Sequence, residues 1–281
     1  MKYKFYIGLS ILVLTSVNIF SQSKLRGNKI VTTQNREVSN FNNIEVSDDV
    51  DVYLSQGNNN TVAVETDENL QSAIRVQVDN NTLRINFSDK ISKSKKRNVY
   101  VTVNEDLHTI SAYKNANIYA DTRLILRKLT INAFENADFK VKIDADDFKI
   151  NGFKNTDLTI DVFSKNIVAK ISDACELKLE GEIDSLKTEI KNNSVLIAKG
   201  KGSLIEIEAR NNGTFNGENF KIENAFIDAN SRTDITVNVK ESVKLSLSNK
   251  AEVNIYNNPV VEIEKLEGKA QIHKKKISKL F

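Results

Sequence analysis

Hydrophobic residues recur at a spacing of about 19 through most of this 281-residue chain, and few folds tolerate that period. The anchors are Phe139, Leu158, Leu177, Leu196, Phe215, Ile235, Val253 and Ile272, separated by 19, 19, 19, 19, 20, 18 and 19 residues. Ile118 lies 21 residues before the first of them. A fixed period near 20 residues belongs to stacked-coil architectures, in which each repeat covers the open face of its neighbour.

Within a repeat the apolar positions alternate. Ten, eight and six residues before each anchor stand Leu129, Ile131, Ala133, then Phe148, Ile150, Gly152, then Ile167, Ala169, Ile171. The series continues with Leu186, Thr188, Ile190, with Ile205, Ile207, Ala209, with Ala225, Ile227, Ala229 and with Val243, Leu245, Leu247. The residues between them are mostly Lys, Thr, Asn, Glu, Asp or Ser, so the period is two and the element is a strand with one buried face. A second strand starts at the anchor, as in Phe139 and Val141 or Leu158 and Ile160. On a helix this pattern would spiral around the whole circumference. Equal spacing without intervening helices makes equivalent strands pair in parallel, with the remainder of each coil as the crossover. The predicted fold is all-β: a parallel β-solenoid of about 19-residue coils, right-handed by the general crossover preference.

A polar corner of five residues separates the two strands. Asn115, Asn136, Asn155, Asn193 and Asn212 stand three residues before successive anchors, with Ala174 in the middle of the series and Arg232 and Lys250 after it. Asparagine tolerates the left-handed backbone of tight corners, and stacked amides can bond as a ladder. The end of the Asn series at Arg232 predicts that the last coils turn differently.

Four segments follow. Residues 1–21 read as a signal peptide, with Lys2 and Lys4 ahead of an apolar run from Phe5 to Phe20 and Ser21 at the cleavage point. Residues 22–106 are β-rich but irregular and are expected to begin and cap the stack. Residues 107–273 carry the repeats. Residues 274–281 form a basic tail with Lys274, Lys275, Lys276 and Lys279, where charge discourages end-to-end aggregation. The expected location is outside the cytoplasm, with periplasm, cell surface and medium left open. No later stretch reaches the ~20 apolar residues that a membrane helix needs.

Composition narrows the function classes. The lone cysteine, Cys175, has no internal partner, so stability rests on burial and backbone pairing. A formal net charge of +3, from 40 basic and 37 acidic residues interleaved, gives no support to nucleic-acid binding. His108 and His273 have no Cys or His at zinc-ligand spacing, and no Ser–His–acid set appears. No cofactor is implied.

Three features carry candidate chemistry. Tyr113, Phe134 and Phe153 lie five residues before Ile118, Phe139 and Leu158, so they stack at a corner; they either bind sugar rings or a partner surface, or fold inward over Ala112, Ala133 and Gly152. Asp138, Asp157 and Glu176 immediately precede three anchors. Stacked at about 5 Å they repel one another unless Ca²⁺ or the nearby Lys140 and Lys178 neutralise them. Lys90 to Arg97 is a basic loop that either meets an anionic partner or is simply solvated.

The N-terminal block also carries a resemblance. Gly27, Arg36, Phe41, Ile44, Val46, Val50 and Val52, then the run Val62-Ala63-Val64-Glu65-Thr66-Asp67-Glu68-Asn69-Leu70, then Leu83 and Ile85, together resemble the head GIN domain family. That family is described as auto-transporter adhesins of Bacteroidetes-type bacteria, and the resemblance covers nearly the whole chain after residue 21. It implies a β-solenoid behind an edge block and an adhesin-like role, with no functional residues to carry over. Two readings stand beside it: a Ca²⁺-dependent polysaccharide lyase or hydrolase on a β-helix, and a structural component of an envelope assembly. The expected partner is a glycan or an envelope protein, and the oligomeric state is not legible.

Overall fold

A computed structural model describes residues 24–276, so the signal peptide read at 1–21 and the tail residues 277–281 lie outside the described residues. The anchors pair in the register that their spacing predicts. Ile118 meets Phe139, Phe139 meets Leu158, and the pairing passes through Leu177, Leu196, Phe215, Ile235 and Val253 to Ile272, parallel throughout. The result is a β-solenoid of about nine turns. One hydrophobic cluster runs from Phe41 to Ile255 without interruption. Each buried Val, Leu, Ile or Phe in it contributes roughly 1.5–3 kcal/mol, which is how a chain without disulfides stays folded.

The corners hold two consecutive residues in the left-handed conformation. Lys114 and Asn115, Glu135 and Asn136, Lys154 and Asn155, Asp173 and Ala174, Asn192 and Asn193, and Asn211 and Asn212 all have φ between 50° and 63°. Side-chain amides then bond from coil to coil: Asn136 donates to Asn115 (3.2 Å) and Asn212 to Asn193 (2.8 Å). A second ladder runs one residue earlier, from Asn211 to Asn192 (3.2 Å) and from Asn192 to Asp173 (2.9 Å). Beyond Asn212 the pairs stop: at the next two corners only Ser231 and Asn249 have positive φ. The last coils do turn differently.

The corner is polar only in part. Two residues before each anchor, Ala116, Ala137, Thr156, Cys175, Ser194, Thr233 and Ala251 are buried, so a column of small side chains lines the inside of the bend. The chain re-enters the strand there, and only a small group fits where two faces converge. Cys175 accounts for Gly152: a Cβ on Gly152 would lie 2.5 Å from Cys175 Sγ. Burial pushes the Cys175 thiol up to about 12. Cys175 is therefore expected to resist iodoacetamide at pH 8 in the folded protein and to react fully in denaturant, as read by mass spectrometry. Rapid labelling of the native chain would contradict this packing.

Chain order and spatial order part company at the N-terminal end. Strands Asn43–Val46 and Asp51–Gln56 form one coil, which pairs on its inner side with Thr109–Ala112 and Asn117–Phe134. On its outer side it pairs, again in parallel, with Thr82–Phe87 and Arg97–Val103. The later segment therefore lies outside the earlier one. Antiparallel strands close this end: Thr61–Asp67 against Arg97–Val103, Val31–Arg36 against Thr61–Asp67, and Ile74–Asp79 against Thr82–Phe87. Among the described residues no helix is long and apolar enough to cross a membrane.

Candidate binding face

Among the described residues, the aromatic side chains outside the core include two ladders and two exposed single rings. Tyr113, Phe134 and Phe153 stack with centroids 5.2 and 5.4 Å apart and planes within 12° of parallel. They do not fold inward. The strand alternation buries Ala112, Ala133 and Gly152 and leaves the three rings half-buried on the outer side, while Cys175 takes the space beside Gly152. Both faces of Phe134 and one face each of Tyr113 and Phe153 lie against a neighbouring ring.

A second ladder was not legible in the chain. Tyr53 stacks on Tyr100 at 5.3 Å and on Tyr119 at 5.1 Å. The only sequence signal is that each tyrosine stands at an outward position between two buried aliphatic residues, as in Val52-Tyr53-Leu54, Val99-Tyr100-Val101 and Ile118-Tyr119-Ala120. The Tyr100 hydroxyl donates to Glu65 (2.8 Å), which Asn98 and Lys96 also bond. Those bonds, that of Lys96 above all, hold the Glu65 carboxyl below its ordinary range. Burial, with the Asp51 charge behind it, raises the hydroxyls of Tyr53 and Tyr119.

The carboxylates Asp138, Asp157 and Glu176 do stack in register on adjacent coils. Asp138 accepts from the Asp157 backbone N–H (3.2 Å), and Glu176 pairs with Lys178. Partial desolvation, together with the Asp157 charge, raises the Asp138 carboxyl. Among the described residues no group of three or more His, Cys, Asp or Glu side chains is arranged to hold a metal ion. The basic run is partly drawn into the fold: Lys96 pairs with Glu65 (2.8 Å), Arg97 with Asp49, and the Lys95 backbone N–H bonds Asp67.

The two single rings differ in one respect. Phe163 is 42% exposed, but the Arg123 guanidinium lies 4.3 Å from its centroid and is held there by Asp161 (2.6 Å). Phe226 is 47% exposed and, among the described residues, has neither a stacked ring nor a cation over it. It stands between Glu206 and Lys244 in the parallel register, in a trough of about 440 Å³ whose walls include Lys187, Glu208 and Asp228. Neighbouring coils place acids and bases side by side: Lys187 with Glu206 (2.6 Å), Arg210 with Asp228 (2.7 Å), Lys244 with Glu264 (2.7 Å). These partners raise Lys187 and Lys244, and Lys191 lowers Glu189. Each of these three shifts favours the charged form of its group. The trough thus offers one free aromatic face surrounded by fixed donors and acceptors.

Comparison with known proteins agrees with this architecture. Residues 40–259 match the family model described as "Putative auto-transporter adhesin, head GIN domain". Among solved structures, a "putative adhesin" from Parabacteroides merdae is 16% identical with a TM-score of 0.62, covering 90% of this chain and 99% of the other. A "putative adhesin" from Parabacteroides distasonis is 17% identical with a TM-score of 0.61, covering 90% and 100%. A "putative lipid binding protein" from the same species is 13% identical with a TM-score of 0.56, over the same shares. At these identities the likeness shows the fold. No curated protein matches the chain.

Proposed function

The chain belongs to the head GIN domain family, and from that premise we propose that it is an exported, non-enzymatic, adhesin-like protein that holds a glycan against the Phe226 face. The free ring of Phe226 carries this reading. A sugar presents an apolar C–H face and a rim of hydroxyls, and the trough supplies a ring for the first and interleaved Glu, Asp and Lys groups for the second. The shifts of Lys187, Lys244 and Glu189 all favour the charged form, the opposite of a group poised to exchange a proton at neutral pH.

The Tyr113, Phe134 and Phe153 ladder is assigned to stiffening the corner, because four of its six ring faces lie against a neighbouring ring of the stack. Export rests on the segment 1–21 and on the adhesin description of the family. A glycan array probed with the protein is expected to give defined hits. Phe226→Ala should weaken them about tenfold or more, roughly 1.4 kcal/mol, with the melting temperature unchanged. An empty array, or hits indifferent to Phe226→Ala, would refute the assignment.

A further inference from the structure

Basic charge is gathered at the N-terminal cap. Residues 24–30 hold three basic residues, and residues 88–97 hold five with a single acid, Asp89, in a chain whose formal net charge is +3. Two short strands, Leu25–Arg26 and Ile91–Lys93, join these segments in parallel. The buried Asp67 carboxylate accepts the Lys29 backbone N–H on one oxygen and that of Lys95 on the other. Asn69 adds a second tie, donating to the Arg26 carbonyl (2.9 Å) and accepting from the Asn28 N–H (2.9 Å). The fold thus collects cations from two distant parts of the chain on one platform.

Only two of these cations are neutralised, Lys96 by Glu65 and Arg97 by Asp49. Lys24, Arg26, Lys29, Lys90, Lys93 and Lys95 are exposed and form no ion pair among the described residues. Residues 1–23 and 277–281 contain no Asp or Glu that could add one. Of the other acids close by, Asp67 is enclosed, Asp48 accepts the Phe87 N–H and Asp89 accepts from Ser88, which leaves Glu68 exposed. Arg26 and Lys93 are direct neighbours in the parallel register. Neighbours along the coils can pair opposite signs, as Lys154 does with Glu135 and Lys201 with Glu182. Like charges side by side cost stability unless an anion lies over them. Apolar groups are mixed in: Ile30, 58% exposed, stands beside Lys29, and Leu25 and Ile91 are half-buried between the cations.

We propose that this platform docks the protein on an anionic lipid bilayer, with the unpaired cations against headgroup phosphates and Ile30 at the acyl boundary. Charge alone would serve any polyanion; the exposed isoleucine selects lipid. A polysaccharide gives such a side chain nothing to enter, whereas a bilayer interface takes an aliphatic group flanked by lysines. Residues 24–30 and 88–97 contain no Phe, Tyr or Trp on which a sugar could stack. Tyr100, which shares Glu65 with Lys96, is stacked on Tyr53. A bilayer is also an extended plane that cations on two loops can meet together, each adding to the attraction of an anionic leaflet. The Phe226 trough lies several coils along the stack, so docking at the cap leaves it open.

Co-sedimentation with vesicles tests this, using the chain from Gln22, which lacks the apolar run before it. The protein is expected to sediment with vesicles of equal parts phosphatidylglycerol and phosphatidylcholine, and not with phosphatidylcholine alone. Binding should fall at least tenfold as salt rises from about 0.05 M to about 0.5 M. Arg26→Glu with Lys93→Glu should weaken it about tenfold or more, and the milder Lys24→Gln with Lys90→Gln about threefold. Lys250→Glu with Lys269→Glu makes the same charge change at exposed positions on the last coils and should have no effect. Ile30→Ser should weaken vesicle binding about threefold and leave binding to dextran sulfate unchanged. Equal sedimentation with both vesicle types, or with neither, would overturn the proposal. Equal losses in the two Glu-substituted pairs would also overturn it, by reducing the effect to net charge. Full vesicle binding by Ile30→Ser, or capture of dextran sulfate without vesicles, would assign the platform to an acidic polysaccharide instead.

Discussion

Alanine at Gly181 is expected to destabilise the solenoid by more than about 3 kcal/mol, among the largest effects of any single methyl group in the chain. Two independent terms add. Gly181 has φ of +149°, which side chains rarely tolerate, and a Cβ there would lie 1.8 Å from the Val162 carbonyl oxygen. That oxygen belongs to the backbone of the preceding coil, paired in register with Gly181, so it cannot rotate away. The next coil repeats the arrangement: Gly200 has φ of +117°, and its Cβ would meet the Gly181 oxygen at 1.8 Å. Because repeats are stabilised by their neighbours, a forced separation here should also split the unfolding transition in two. Gly57→Ala is the control, since its Cβ would meet only the Thr102 methyl, at 2.7 Å, and φ is not strained. Thermal melts followed by circular dichroism should show a large loss for Gly181→Ala and a small one for Gly57→Ala. Equal melts for the two variants would contradict the account.

The regular coils were readable because one number governs them. Leu158, Leu177 and Leu196 are 19 apart in the chain and neighbours in the stack, so each inference about one coil transfers to the next. The same logic placed the Asn corners and noticed their end before Arg232. It failed where spatial order leaves chain order: Tyr100, Tyr53 and Tyr119 stack in that sequence, and no period connects them. It failed again at Phe226, whose signal is a large aromatic out of phase between the buried Ala225 and Ile227. Charge in the last residues suggested a protected terminus. The apolar inner side of Val260–Leu266 could be recognised as uncovered only once its neighbours were placed. Interior small residues such as Cys175 were hidden for a related reason, since periodicity reports which side a residue faces but not how much room lies there.

Asp67 should be the most costly polar side chain to replace, because the closed N-terminal end hangs on it. It is fully buried and accepts from the backbone N–H groups of Lys29 (2.5 Å) and Lys95 (2.6 Å), tying two loops to strand Thr61–Asp67. Gly27 passes so close that a Cβ there would lie 2.3 Å from the Asp67 carboxylate. Burial alone would raise this carboxyl, but the N–H groups of Lys95, Lys29 and Lys96 outweigh it and hold it below the ordinary aspartate value. The stabilisation is therefore complete above the unfolded-state value of about 3.9 and is lost as pH falls through the lower folded-state value. Asp67→Asn keeps the shape but turns one acceptor into a donor facing a buried N–H, at a cost of about 3 kcal/mol. Hydrogen exchange should then show residues 25–36 and 90–97 opening while the coils from Leu129 onward keep their protection, since repeats distant from the cap do not contact it. The variant should also lose the part of the acid-induced destabilisation that Asp67 contributes. Unchanged protection of both loops in Asp67→Asn would show that the cap is held by its strand pairing alone.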